Sequence, residues 1–133
     1  MKSYTDLEQS KKLTEILPIE SADFVWLIGH LHTDGPRYEV IREKYEVSEP
    51  ENYWPCWSLA TLLSILPPYL FEFERGIDLN VYPNLNGKGW HCSYMPNCIE
   101  NMEKDKFKLI TSEDSLIDAC YEMILKLHEL NLL

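Results

Sequence analysis

His30, His32 and Asp34 alternate within "GHLHTDG", residues 29–35, directly after the apolar run "FVWLI". On a strand, residues two apart point to one face, so both imidazoles and the carboxylate would line up together. Imidazole nitrogens so placed can share one zinc or iron, with the carboxylate adding an oxygen ligand. A second grouping, "YWPCW", sets Tyr53, Trp54 and Trp57 around a proline. Tryptophan and tyrosine suit binding surfaces because they combine a large apolar area with a polar tip.

The spacing of the first group resembles the H-x-H that ends the first barrel strand of amidohydrolases. It also resembles the H-x-H-x-D of metallo-β-lactamase-like hydrolases. Either resemblance implies a metal-dependent hydrolase with His30, His32 and Asp34 as first ligands. The rest of the chain argues the other way. A (β/α)8 barrel takes about 250 residues, and this chain has 133. Both families draw further ligands from later strands, whereas only His91 and His128 remain, neither in a recognisable second motif. Asp34-Gly35 is by itself a strong turn pair. The metal site is therefore the alternative reading, and no cofactor is expected.

Cysteines stand at 56, 92, 98 and 120, with no C-x-x-C pair. His91 and Cys92 are neighbours, but adjacent residues on a strand face opposite ways, so the imidazole cannot readily activate that thiol. Cys92 and Cys98 do not have a common zinc spacing. Cys120 and His128 share a helix yet sit about 12 Å apart by helical rise. Phosphate-binding loops, nucleophile elbows and zincin motifs are absent. No catalytic residue is nominated, and an enzyme is not the expected reading.

The elements that must position these residues are legible in outline. "YTDLEQSKKLTEILP" predicts a first helix, with a Thr5/Glu8 capping box, an apolar stripe of Leu7, Leu13, Ile16 and Leu17, and Pro18 as a stop. "ADFVWLIGHLH" predicts a strand buried on both faces for most of its length. "RYEVIREKY" suits either a strand or a helix, and residues 46–55 read as a loop. Ser58 is a natural N-cap for "LATLLSI", with Trp57 and Leu62 spaced as a hydrophobic staple. "FEFERGIDLNVYPNLNGKGWHCSYMP" reads as a hairpin, with Ile77, Leu79 and Val81 alternating with Asp78, Asn80 and Tyr82, a loop carrying Asn86-Gly87 and Gly89, and a return strand from Trp90 to Met95. A polar connection over 97–114 then leads to a last helix capped by Ser115, with Leu116, Cys120, Met123, Ile124, Leu127 and Leu130 on its apolar face. Helices and hairpins arriving in blocks predict an α+β fold: one globular domain, residues 1–133, with three helices packed on one face of a small, mostly antiparallel sheet.

Bulk composition narrows the partners. Apolar residues make up 45% of the chain and charged residues 26%, which is globular composition. Acidic side chains outnumber basic ones 22 to 12, a net charge of −10 that repels phosphate backbones, so no direct nucleic-acid binding is expected. The same charge leaves open an acidic mimic of nucleic acid. No apolar run approaches the ~20 residues needed to cross a bilayer, and the first residues are polar, so the expectation is a cytoplasmic protein without a membrane partner.

Three stretches, "YTDLEQSKKLTEILPIESAD", "PCWSLATLLSILP" and "DACYEMILKLHE", carry a W-S-L-x-x-L-L and a D-A-x-x-x-M-I-x-x-L pattern. In these the chain resembles short acidic proteins of Bacteroidetes genomes, often found near phage-like or mobile elements. That group has no assigned activity, so the resemblance carries no functional residues over. It implies a bacterial or phage-like protein that acts by contact with another macromolecule. The expectation is a small non-enzymatic interaction or regulatory module that binds a protein partner or itself through Tyr53, Trp54 and Trp57.

Overall fold

A computed structural model describes residues 2–29, 37–41, 53–70, 77–96 and 109–133. Their order is α1 (Leu7–Thr14), a 3-10 turn (Ile19–Ser21), β1 (Phe24–Gly29), β2 (Arg37–Ile41), β3 (Tyr53–Cys56) and α2 (Leu59–Ile65). β4 (Ile77–Pro83), β5 (Trp90–Pro96), β6 (Leu109–Glu113) and α3 (Leu116–Glu129) follow. The fold is α+β, as expected, with three α-helices among the described residues and all strand pairing antiparallel. The described strands form two three-stranded sheets rather than one, ordered β2-β1-β3 and β4-β5-β6. The chain groups into two compact units, Ser3–Thr61 and Leu62–Leu133 with Met1–Lys2.

In the first unit, the helix starts one residue later than the T-x-x-E spacing suggests. Asp6 is the N-cap: its Oδ1 accepts from the Gln9 amide at 2.8 Å, and Gln9 Oε1 accepts from the Asp6 amide at 3.1 Å. Thr5 does not cap: its side chain is fully buried and its hydroxyl is engaged elsewhere. The Thr5 hydroxyl lies 2.8 Å from Ser10 Oγ and accepts from the Trp57 amide at 3.2 Å. The Thr5 amide donates to the Trp57 carbonyl at 2.9 Å, and the Leu59 amide to the Ser3 carbonyl at 3.0 Å. The N-terminal segment is thus laced to residues 57–59, and the cap falls to the next polar side chain, which faces water.

β1 is the centre of its sheet, pairing β2 with Val25 opposite Ile41, and β3 with Trp26 opposite Trp54. The ambiguous "RYEVI" segment is a strand. Burial of β1 on both faces is not seen: Phe24, Val25 and Trp26 are half-buried. The expected loop over 46–55 ends in a strand, because β3 begins at Tyr53. Pro55 is tolerated there since β3 is an edge, where a missing N–H costs no ladder bond.

In the second unit, the hairpin forms as expected, with Val81 opposite Cys92 and Tyr82 opposite His91. The polar connection over 97–114 contains a further strand, β6, pairing with β5 so that Cys92 meets Thr111. α3 packs on β5 and β6. Ser115 caps α3, its Oγ accepting from the Asp118 amide at 3.1 Å, while the Asp118 carboxylate accepts from Lys2 Nζ at 2.8 Å. The buried face of α3 is Ile117, Ala119, Cys120, Met123, Ile124 and Leu127. It is rotated slightly from the expected one: Leu116 is half-buried, and Leu130, already past the helix, is 50% exposed. Ile77, Cys92, Tyr94 and Thr111 complete this core from the sheet. Each large side chain so enclosed contributes about 1.5–3 kcal/mol.

Candidate functional site

His30, His32 and Asp34 lie outside the described residues. Among the described residues, no group of three or more histidine, cysteine or acidic side chains could hold a metal ion.

The three aromatics of "YWPCW" are described, and the structure does not bring them together as one surface. Trp57 is fully buried, its indole N–H donating to Ser21 Oγ at 2.9 Å. It is a core residue. Tyr53 and Trp54 are adjacent in β3 and therefore face opposite sides of the sheet, each half-buried. Trp54 lies on the side of Trp26, with Lys11 Nζ 5.5 Å from its ring centroid, a cation–π contact from α1. On this same side Tyr4 meets Phe24 and Trp26 at centroid separations of 6.1 Å, and the Trp26 indole donates to the Thr5 carbonyl at 3.0 Å. These contacts hold the N-terminal segment and α1 to the sheet.

The β4–β5 hairpin presents a different surface. Asp78, Asn80 and Tyr82 share one face of β4 and pair with Met95, Ser93 and His91. The opposite face carries Cys92, Tyr94 and Thr111, against which α3 packs. Tyr82 is 39% exposed and stacks on His91, ring centroids 5.0 Å apart and planes tilted by 38°. Beyond them, at the tip, Leu85 is fully exposed.

That tip is tightly built. The Asn84 amide donates to the Gly89 carbonyl and the Gly87 amide to the Asn84 carbonyl, both at 3.0 Å. Asn84 Nδ2 donates to the Lys88 carbonyl at 2.5 Å, and Asn86 Oδ1 accepts from the Lys88 amide at 2.9 Å. Gly87 and Gly89 take φ of 76° and 80°, open to glycine at little cost. A Cβ on Gly89 would lie 2.5 Å from the Glu113 carbonyl oxygen, so the loop is also pressed against the end of β6. An apolar side chain therefore stands in water on a backbone that is already ordered.

Two polar arrangements in the described residues are structural. Asp23 accepts from the Ser58 amide at 2.8 Å and from the Ser58 hydroxyl, while Ser58 Oγ accepts from the Thr61 amide at 3.3 Å, a cap for α2. Burial pushes the Asp23 carboxyl up, but the hydrogen bonds from Ser58 and Thr61 outweigh it and leave the pKa below the usual 3.8. His91 and Cys92 face opposite ways, as strand geometry predicts: His91 stacks on Tyr82 while Cys92 is fully buried. Reading each segment separately also misses that Cys92 of β5 and Cys120 of α3 are both fully buried, in two elements that pack on each other.

Leu85 was also missed. Its signal was present, as the one aliphatic residue in the polar turn "PNLNGKG", a position that turn chemistry does not require to be apolar. No protein-family model matches the chain, and no curated protein or solved structure is significantly similar to it.

Proposed function

We propose that this chain is a non-enzymatic protein-interaction module of the cytoplasm, and that the tip of the β4–β5 hairpin is its contact site. The observation that carries the reading is Leu85, fully exposed on a loop fixed by four hydrogen bonds. Burying a leucine side chain in a partner's pocket is worth about 1.5–3 kcal/mol. A loop already ordered in the free protein gives up little entropy on binding, so more of that energy appears as affinity. Tyr82, stacked on His91, extends the apolar contact along the strand, and Lys88 supplies a cation on a chain of net charge −10. The partner is another protein or a second copy of the chain. Trp54, held beneath Lys11, contributes to the fold before it contributes to binding.

The test is Leu85→Asp. With no neighbours to lose, the variant keeps the melting temperature of the parent. Its association, followed by sedimentation equilibrium for self-assembly and by a titration against any captured partner, weakens by about tenfold or more. Unchanged association in a folded variant removes the hairpin tip as the contact site.

A further inference from the structure

Of the seven asparagines in the chain, only Asn86 precedes a glycine. Both residues stand exposed at the hairpin tip. The Asn86 side chain is turned back along the main chain, its Oδ1 accepting from the Lys88 amide at 2.9 Å. That bond draws electron density from Cγ and sets a donor where negative charge develops when a nucleophile adds there. The nucleophile at hand is the next main-chain nitrogen, that of Gly87. Gly87 has no side chain to hinder the approach, and beyond its chain neighbours no atom lies within 4 Å of where a Cβ would stand. Its amide donates to the Asn84 carbonyl at 3.0 Å, one bond in a turn open to water. Asn84, in the same loop, is placed differently: it precedes Leu85, and its Nδ2 donates to the Lys88 carbonyl.

We infer that Asn86 and Gly87 form a self-modifying site, at which Asn86 is converted to aspartate and isoaspartate with water as the co-reactant. In the first step the Gly87 nitrogen attacks Asn86 Cγ while the Lys88 amide holds Oδ1. An N–Cγ bond forms, the Cγ–Nδ2 bond breaks, and the side-chain nitrogen takes the Gly87 proton and leaves as ammonia. A five-membered succinimide ring remains. In the second step one water adds to either ring carbonyl. Breaking the new N–Cγ bond gives aspartate. Breaking the original bond from the Asn86 main-chain carbon to the Gly87 nitrogen gives isoaspartate. One water enters and one ammonia leaves, with no change of oxidation state. The Gly87 amide must first leave the Asn84 carbonyl, so the reaction proceeds through local opening of this turn and not of the core. Both products set a new negative charge beside Leu85. In isoaspartate the main chain also runs through Cβ and Cγ and is one atom longer. The loop cannot take up that atom at its far end, where Gly89 is pressed on the Glu113 carbonyl, so the turn around Gly87 is rebuilt. Resting on the reading of the tip as the contact site, the conversion weakens association and acts as an age-dependent off switch.

The experiment ages the full chain at neutral pH, folded and in parallel unfolded in urea, and sequences its peptides by mass spectrometry after a mildly acidic digestion. In the folded chain Asn86 is expected to exchange its side-chain nitrogen for oxygen before any other asparagine. An endoprotease that cuts before aspartate but not isoaspartate separates the two products. Asn86→Gln, whose carboxamide would have to close a six-membered ring, is expected to keep its charge on the same schedule. Conversion of Asn86 in urea but not in the folded chain, or of another asparagine first, overturns the site. The converted fraction, isolated by its extra negative charge, is then expected to associate about tenfold or more weakly than fresh protein. Unchanged association of that fraction, where Leu85→Asp does weaken it, overturns the switch and leaves the contact site standing. Unchanged association in both overturns the contact site, and the switch with it, while the modification stands on the peptide result.

Discussion

Asp23 is the residue on which the start of α2 depends, because its carboxylate takes both the amide and the hydroxyl of Ser58. Its folded pKa is depressed by those bonds against the opposing push of burial. A depressed carboxylate stabilises the fold above its unfolded pKa, and that contribution is lost as pH falls from there through the lower folded value. Acid titration of the melting temperature should therefore show a fall below about pH 4 that is shallower in Asp23→Asn. The reverse sign applies to Glu122. Burial raises its pKa, and Glu113, Asp118 and Glu129 add repulsion that Lys126 only partly offsets. A raised carboxylate destabilises the folded state above its folded pKa, and the penalty is relieved as pH falls through that value. Glu122→Gln should accordingly raise stability at pH 7, by no more than about 0.5 kcal/mol at so solvent-screened a site. Calorimetry at pH 7 checks it, and a loss of stability would show that the carboxylate holds a favourable contact instead.

At the scale of elements, the β4–β5 hairpin ties local chemistry to the surface it presents. Gly87 and Gly89 have similar positive φ, but only Gly89 lacks room for a Cβ. Gly87→Ala should cost about 1 kcal/mol from backbone conformation alone. Gly89→Ala should cost about 1–3 kcal/mol, because the loop must also move away from Glu113. Chemical denaturation of both variants measures the difference, and equal costs would mean that the hairpin end is not pressed on β6. This hairpin was legible because Asn-Gly turn chemistry and two-residue alternation act within a few positions. α3 was legible for the same reason, from its periodicity and Ser115. β6 was not. Thr111 points inward with its hydroxyl satisfied by the Ala119 carbonyl, so a polar residue occupies a core position and breaks the alternation. Asp6 displaced Thr5 as the first cap because tertiary packing had already claimed the threonine hydroxyl. Both misses arise where a polar group finds its partner in another element.

For the whole molecule, the α+β class was readable from the succession of elements, but the division of the six described strands into two sheets was not. Strand pairing is a long-range property, and β6 carries no local alternation to announce it. Which apolar surface is free is hidden from the sequence for a related reason. Aromatic residues near a proline signal an apolar surface, yet whether that surface is free depends on what covers it. Trp57 is enclosed and Trp54 sits under Lys11 of α1, whereas Leu85 has no cover. The apolar side chain proposed as the contact thus stands on a turn. No helix among the described residues is long and apolar enough to cross a membrane. The most direct test replaces Leu85 by a photo-crosslinking amino acid, with Glu129, exposed at the end of α3, replaced in a control. After irradiation in cells, defined adducts are expected from position 85 and not from position 129. Adducts from position 129 alone, or none from position 85 while the protein demonstrably sits in a larger assembly, would contradict the hairpin tip as the contact site.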